Sequence, residues 1–174
     1  RRLPVGDVAA ALVLTAVAVI EVLSSHGVFG LLLANPGATT GPLPLDLVLA
    51  ALLTLPIALR RVRPVAALTV VVTVQVLANL LVAHHFPFFG GLGSLALLTY
   101  SFGRHAPPRL ARWGWVAPLA WAGTFPVRTP EARDPASVLY AVVLLTLPWI
   151  AGLVIRRLAD PRPARGRGMG GFGG

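Results

Sequence analysis

The stretch LPLDLVLAALLTLPIALRRVRPVAALTVVVTVQVLANLLVA, residues 43–83, decides the fold of this chain. Two apolar runs flank the basic segment RRVRP at residues 60–64. A helix needs about 20 apolar residues to cross the hydrocarbon core of a bilayer, and both runs approach or reach that length. The stretch therefore predicts two membrane-spanning helices that form an antiparallel hairpin through a very short turn.

Apolar stretches of this kind occur six times in the 174 residues. They cover residues 5–23, 43–59, 65–83, 86–102, 113–127 and 136–155. The fourth and fifth are short and contain Gly or Pro, so they form either two full crossings or a tilted, partly buried hairpin. Only 12% of the residues are charged, whereas a soluble domain has about 25%. We predict an all-α, polytopic transmembrane helical bundle of about six spans.

The basic residues predict the orientation of this bundle. All fifteen are arginines, and thirteen of them precede the first stretch or follow the second, fourth and sixth. The two exceptions, Arg128 and Arg133, precede the sixth. Arginine-rich loops stay in the cytoplasm, so both ends of the chain are predicted to be cytoplasmic (N-in and C-in) in the plasma membrane. The arginines that set this topology most directly are Arg60, Arg61, Arg63, Arg156 and Arg157.

The composition divides the chain into two regions. Residues 1–158 form the predicted transmembrane domain, and residues 159–174 form an Arg/Pro/Gly-rich cytoplasmic tail that we expect to be disordered. The net charge of +9 is explained by arginines beside apolar spans, where they meet anionic lipid. The expected partner is thus the lipid bilayer and not nucleic acid. The chain has no cysteine, which excludes disulfides and thiolate metal sites.

Ionisable residues near the membrane are the first candidates for function. Asp7 and Glu21 bracket the first stretch, and because they lie near its ends we expect their carboxylates to reach headgroups and water. Glu21, His26, His84 and His85 form a possible sensing group on the outer side, since histidine titrates near neutral pH. Their spacing does not favour a metal site. We predict no metal and no cofactor in this chain.

Thr69, Thr73, Gln75 and Asn79 form a polar intramembrane face on one broad arc of the third stretch. Gln75 and Asn79 are four residues apart and are therefore neighbours on a helix. Such a face either lines a path for a ligand or ion, or forms hydrogen bonds between helices. The second interpretation is favoured.

Small residues and prolines within the stretches predict packing and kinks. Gly90 and Ser94 are four residues apart and suit close helix packing. Pro56, Pro118 and Pro148 each remove a backbone donor and favour a kink. No Ser/His/Asp arrangement and no carboxylate pair is present in a position that would suit catalysis, so we predict no catalytic residue.

Three short motifs in the chain resemble those of a known family. They are LPVGDV at residues 3–8, LPIALRRVRP at residues 55–64, and LPWI at residues 147–150 followed by Arg156 and Arg157. The motifs are similar to the N-terminal transmembrane (sensor) domain of actinobacterial sensor histidine kinases, which belong to two-component systems. The resemblance covers most of residues 1–158.

The resemblance implies signal transduction by a phosphorelay. The full-length parent would be a homodimer that uses ATP to phosphorylate its own histidine and then passes the phosphoryl group to an aspartate of a response regulator. The signal would reach the kinase core as a small movement of the sixth span. The histidine-bearing helix and the ATP-binding domain have no counterpart in these residues, and the segment DPRP at residues 160–163 is expected to stop a helix. We therefore expect a fragment, a frameshift product or a free-standing homologue, which is not an enzyme by itself.

Two other functions stay open at this point. A small transporter or permease is the alternative, although no span carries a charge at mid-membrane, as substrate paths usually do. A structural or assembly role in the membrane is the third. The outer loops are short, which favours sensing within the membrane, or of envelope stress, over binding by a large extracellular domain.

Overall fold

The computed structural model describes residues 4–26, 41–81, 88–128 and 134–159. These residues form helices and short connections and contain no β-strand. The helices are α1 (Val5–Ser25), α2 (Leu43–Thr54), α3 (Pro64–Leu81), α4 (Phe88–His105), α5 (Pro108–Ala111), α6 (Val116–Arg128) and α7 (Pro135–Ala159), with a 3₁₀ helix (Leu55–Leu59) between α2 and α3. The all-α prediction is confirmed.

Three helices of the described residues are long and apolar enough to cross a membrane. They are α1, α3 and the Val138–Ala159 part of α7, and the apolar segment Leu43–Leu59 is somewhat shorter. Helix α6 has 13 residues, which corresponds to about 20 Å of helix. Large apolar side chains are exposed along α1, α2, α3, α6 and α7, as expected for surfaces that face lipid. These features define a helical membrane protein.

Prolines mark where several of the helices begin. Pro64, Pro108 and Pro135 are the first residues of α3, α5 and α7, where the missing N–H has no partner to lose and the fixed φ suits a helix. Helix α6 begins at Val116, which places Pro118 in its first turn. Pro118 therefore removes no hydrogen bond of the helix, and the kink expected within this span is wrong.

The other two prolines lie deeper in their helices. The α-helical pattern of α2 ends at Thr54, and Pro56 is the second residue of the 3₁₀ helix that follows. The change of helix type there agrees with a proline that cannot donate to the preceding turn. Helix α7, in contrast, continues on both sides of Pro148 over its 25 residues.

Helix α4 occupies the centre of the bundle and contacts α1, α2, α3 and α7. Its N-terminal half approaches α1 closely because Gly90 lies against Ala18, where an added Cβ would collide with the Ala18 side chain. Ser94 is also buried and donates a hydrogen bond to the Gly90 carbonyl (2.6 Å). The predicted close packing at these two small residues is confirmed. The largest fully buried apolar side chains of the core are Leu53, Ile57, Val71, Leu95, Leu98 and Leu145.

Neighbouring helices alternate in direction, which gives the bundle two distinct ends. The start of α1 lies beside the turn after the 3₁₀ helix, and the end of α7 lies beside the segment after α4. The end of α1, in turn, meets the starts of α2 and α4. We call the first end the arginine end; its charged and titratable residues include Asp7, Arg60, Arg61, His105 and Arg156. The opposite end includes Glu21, His26, Asp46 and Gly90.

Candidate functional site

A buried ion cluster joins α1 to the α2–α3 connection at the arginine end. The Asp7 side chain is fully buried (0% exposed). Its Oδ1 lies 2.8 Å from Nε and 2.7 Å from Nη2 of Arg60. Its Oδ2 lies 3.1 Å from Nε of Arg61 but receives no aligned hydrogen bond. A carboxylate shielded from water stays charged only if it is paired, and Asp7 has two arginines for this purpose.

Local structure explains how these residues meet. Asp7 is the third residue of α1, where the positive end of the helix dipole also stabilises a carboxylate. The 3₁₀ helix then ends at Leu59, and Arg60 follows in the tight turn before α3. The expectation that Asp7 reaches headgroups and water is wrong, because the arginines of this turn cover its carboxylate.

The end of α4 adds further positive charge to this cluster. Arg104 donates a hydrogen bond to the Tyr100 hydroxyl (2.9 Å) one turn earlier. Partial removal from water lowers the pKa of His105 below its ordinary value, and the charges of Arg104 and Arg61 lower it further. Partial burial and the excess of positive charge over the Asp7 carboxylate thus both favour the neutral form of this imidazole.

Helix α7 is tied to the segment that follows α4 by two hydrogen bonds. The indole Nε1 of Trp149 donates to the Ala111 carbonyl (2.7 Å). About two turns further on, Arg156 Nη1 donates to the Ala106 carbonyl (2.6 Å). These bonds reach carbonyls at the end of a helix and in a short connection, and the Ala111 carbonyl also accepts a hydrogen bond from the Gly114 N–H (3.3 Å). They hold the end of α7 against the loop between α4 and α6.

Glycines let the backbones of α4 and α7 approach where these bonds form. A Cβ on Gly152 would collide with the Tyr100 carbonyl, and one on Gly103 would collide with the Trp149 carbonyl. Gly114, in the turn before α6, lies under the Trp149 ring in the same way. The α4–α7 contact therefore depends on backbone-to-backbone packing, which is typical of membrane helices that lack a hydrophobic driving force between them.

At the opposite end, Glu21 connects α1 to the start of α4. The Glu21 side chain is buried, and its Oε2 accepts a hydrogen bond from the Gly90 backbone N–H (3.1 Å). Gly90 is the third residue of α4, so its N–H is one of the four that lack a partner within the helix. Glu21 thus caps α4 and complements its dipole. The expectation that this carboxylate reaches water and headgroups is wrong.

His26 connects the end of α1 to the start of α2. Its Nδ1 lies 2.9 Å from the Val22 carbonyl and its Nε2 lies 3.0 Å from the Gly41 carbonyl. The Asp46 carboxylate is 3.5 Å from the same Nε2. Both ring nitrogens can donate only when the ring is protonated, so the two carbonyls, together with Asp46, raise the pKa of His26.

The proposed sensing group is therefore only partly described. Glu21 and His26 lie at the same end of the bundle, Glu21 near the end of α1 and His26 directly after its last residue. His84 and His85 lie outside the described residues. Among the described ranges, no group of three His, Asp or Glu residues is placed to hold a metal ion.

The polar face of α3 divides between two environments. Gln75 and Asn79 are buried, and Asn79 Nδ2 donates to Thr124 Oγ1 of α6 (3.1 Å). Thr69 and Thr73 are exposed on the other side of the helix. The structure thus joins Asn79 to α6 by a hydrogen bond between helices, with the Gln75 amide donating to Asn79 Oδ1 on the same helix (3.5 Å), and it does not bring the two threonines into this group.

The topology-setting arginines have different surroundings in the fold. Arg60 and Arg61 bind Asp7, and Arg156 binds the Ala106 carbonyl. Arg63 and Arg157 are exposed. Sequence reasoning treated Arg60 and Arg61 only as topology signals and therefore missed the ion cluster. A carboxylate one turn into the first stretch, on the same predicted side as an arginine pair, was the signal that could have indicated it.

The fold and these contacts define a helical membrane protein whose ends are joined by ion pairs and helix caps. The chain belongs to the family described as Domain of unknown function (DUF7134), which matches residues 1–158. No curated protein and no solved structure matches the chain.

Proposed function

We propose that this chain is the sensing and anchoring membrane module of a two-component sensor histidine kinase. The kinase core would lie outside the chain and would transfer the γ-phosphoryl group of ATP to a histidine, releasing ADP, before passing it to a response regulator. The observation that carries the proposal is the position of α7. This helix is the longest of those described, and its last turn, with Arg156 and Arg157, lies at the arginine end of the bundle. A helix that ends there suits the output of a sensor, because the proposed kinase core would follow it on the cytoplasmic side.

A continuous set of contacts supports transmission between the two ends. At the opposite end, Glu21 caps the start of α4. Along its length α4 packs closely on α7 at Gly103 and Gly152. We propose that a stimulus at the Glu21 and His26 end displaces α4, and that α4 displaces α7. Coupling of this kind requires a two-state element that both ends bias, and the α4–α7 pair is our candidate for that element.

We also propose that the bundle crosses the plasma membrane six times with both ends in the cytoplasm. The alternating helix directions support this, since they bring Arg60, Arg61 and Arg156 to one end. The positive-inside rule then assigns that end to the cytoplasm. A homodimer would bring two copies of α7 side by side, as the resemblance to sensor kinases implies.

Cysteine labelling tests the topology cleanly because the chain has no native cysteine. A membrane-impermeant maleimide added to intact cells should label Pro42→Cys and Ala136→Cys but not Val62→Cys or Arg157→Cys. If only α1, α3 and α7 crossed the membrane, Val62→Cys and Arg157→Cys would be labelled and Ala136→Cys would not. That second pattern would refute six spans. Permeabilised cells, in which all four variants should react, are the control.

Phosphorylation tests the kinase assignment. The native transcript is sequenced through the codon for Gly174 and beyond. The complete protein that it encodes is then purified, reconstituted into liposomes and incubated with γ-labelled ATP. We expect acid-labile phosphohistidine whose level changes in Glu21→Gln. Asp134→Asn, the same chemical change at an exposed carboxylate, should leave the level unchanged. A product that gives no phosphohistidine and instead moves a solute across the liposome membrane would overturn the proposal in favour of a transporter.

A further inference from the structure

An open pocket lies at the arginine end between the first turn of α3 and the connection that follows α4. Its volume is about 770 Å³, which is within the range of sites that bind small molecules. Its lining combines basic and apolar side chains, among them Arg61, Arg63, Val65, Val70, His105 and Pro107. The basic side chains come from the α2–α3 turn and the end of α4, and the apolar ones come mainly from α3.

The basic side of the pocket has more positive charge than its surroundings neutralise. Arg60 and Arg61 share the single carboxylate of Asp7. The Arg61 side chain is 53% exposed, so its guanidinium has N–H groups left for another acceptor. Within the described ranges, no carboxylate lies at ion-pair distance from Arg63. Partial removal from water is the main cause of the lowered pKa of His105, and the charges of Arg104 and Arg61 lower it further, which agrees with a positive potential here.

Backbone donors at the start of α3 add to this positive side. Val65 and Ala66 both line the pocket, and they are the second and third residues of the helix. Their N–H groups make no hydrogen bond to any residue that the structure describes. Groups in this position bind anions, because the helix dipole favours negative charge there.

The apolar side of the pocket points along a helix that is long enough to cross the membrane. Helix α3 is one of the candidate spans. Thr69 and Val70, in its second turn, line the pocket and are exposed. The basic groups therefore lie at the level of the headgroups, and the apolar wall continues toward the hydrocarbon core. A ligand that fills both parts needs an anionic group attached to an apolar chain.

We propose that this pocket binds an anionic phospholipid. Its phosphate contacts Arg61, Arg63 and the first turn of α3, and one acyl chain lies along α3 past Thr69 and Val70. A free phosphate would share the first set of contacts but not the second. The site depends only on α3 crossing the membrane, and it is independent of any kinase function.

Native mass spectrometry measures this binding directly. The full chain is released from nanodiscs that contain equal amounts of phosphatidylglycerol and phosphatidylcholine, and the bound lipids are counted. We expect phosphatidylglycerol to be retained in preference. Arg63→Gln should weaken this retention about fivefold, the effect of one basic group near an anionic surface. Arg157→Gln removes the same charge from an exposed position on α7, outside the pocket lining, and should leave retention unchanged.

A second variant keeps the test decisive if Arg63→Gln disturbs folding. Ala66→Trp fills the apolar wall from an exposed position without altering an arginine, and it should abolish the preferential retention of phosphatidylglycerol. Equal retention of the two lipids, or equal losses in the two arginine variants, would overturn the proposal. Displacement of the lipid by millimolar inorganic phosphate, with Ala66→Trp still retaining it, would overturn it in favour of a free-anion site.

Discussion

Replacing Asp7 by asparagine tests whether the ion cluster holds the arginine end together. The substitution keeps the shape of the side chain and one oxygen that can accept a hydrogen bond, but it removes the negative charge. Asp7 is fully buried, whereas the side chains of Arg60 and Arg61 are 13% and 53% exposed. The variant therefore leaves one arginine largely buried without a counter-ion, while Arg61 can turn toward water or lipid headgroups.

The expected loss follows from this difference in exposure. Removing one partner of a buried ion pair costs about 3–5 kcal/mol. An exposed pair contributes only about 0–1 kcal/mol, so Arg61 adds little to the sum. Since asparagine still accepts one hydrogen bond from Arg60, we expect Asp7→Asn to lower the free energy of unfolding by about 3 kcal/mol, the lower end of the buried range.

The assay is reversible unfolding of the full chain in mixed micelles with a rising fraction of SDS, followed by tryptophan fluorescence. Asp134→Asn makes the same chemical change at an exposed position and should alter stability by less than about 0.5 kcal/mol. A double-mutant cycle of Asp7→Asn with Arg60→Gln isolates the pair, and we expect a coupling energy of about 2 kcal/mol.

A small effect would contradict this account. If Asp7→Asn cost less than about 1 kcal/mol, the pair would behave like an exposed one. A coupling energy near zero would likewise show that Arg60 is stabilised by something other than Asp7. In either case the ion cluster would not be what joins α1 to the α2–α3 connection.

Four further predictions concern other contacts of the bundle. Gly152→Ala should destabilise the α4–α7 contact by about 1–3 kcal/mol in the same assay, because the added methyl group overpacks a backbone contact. Gly123→Ala, with open space around it, should be neutral or slightly stabilising. The raised pKa of His26 means that its contribution to stability is present below about pH 6.5 and is lost as pH rises through the folded-state pKa; His26→Gln should remove that loss from a profile of Tm against pH. The lowered pKa of His105 has the opposite sign, so stability falls as pH decreases below about 6.5, and His105→Gln should remove that fall. Asn79→Ala removes the hydrogen bond to α6 and should cost about 0.6–2 kcal/mol; unchanged unfolding would show that the bond is dispensable.

The contact between Glu21 and α4 has an energy that could couple the two ends of the bundle in the proposed sensing. A helix cap is worth about 0.5–2 kcal/mol, which is similar in size to typical coupling free energies between sites. Displacement of Glu21 would uncap α4 at one end while the other end of α4 remains packed on α7. Helix α4 therefore connects the Glu21 contact at one end of the bundle to α7 at the other.

The sequence by itself determined the helical class and the approximate positions of the helices. Buried in lipid, a backbone must satisfy its own hydrogen bonds, so long apolar runs become helices whatever surrounds them. Pro64 and Pro135 mark helix starts for a local reason, because proline has no backbone N–H and is therefore tolerated at the first position of a helix. These are properties of the chain over one or two turns, and no tertiary contact is needed to infer them. The wrong expectation at Pro118 concerned only where α6 begins.

Only the tertiary structure decided which side chains meet. Asp7 and Arg60 are 53 residues apart, and Glu21 and Gly90 are 69 apart, so no local pattern links them. The sequence likewise did not indicate that Gln75 of α3 is buried whereas Thr69 of the same helix is exposed. In a soluble helix the apolar face marks the side that packs, but in a membrane helix lipid and protein are both apolar, and a face can turn toward either. The sequence therefore identifies the spans, while the packing of neighbouring helices decides which carboxylates are buried and which arginines neutralise them.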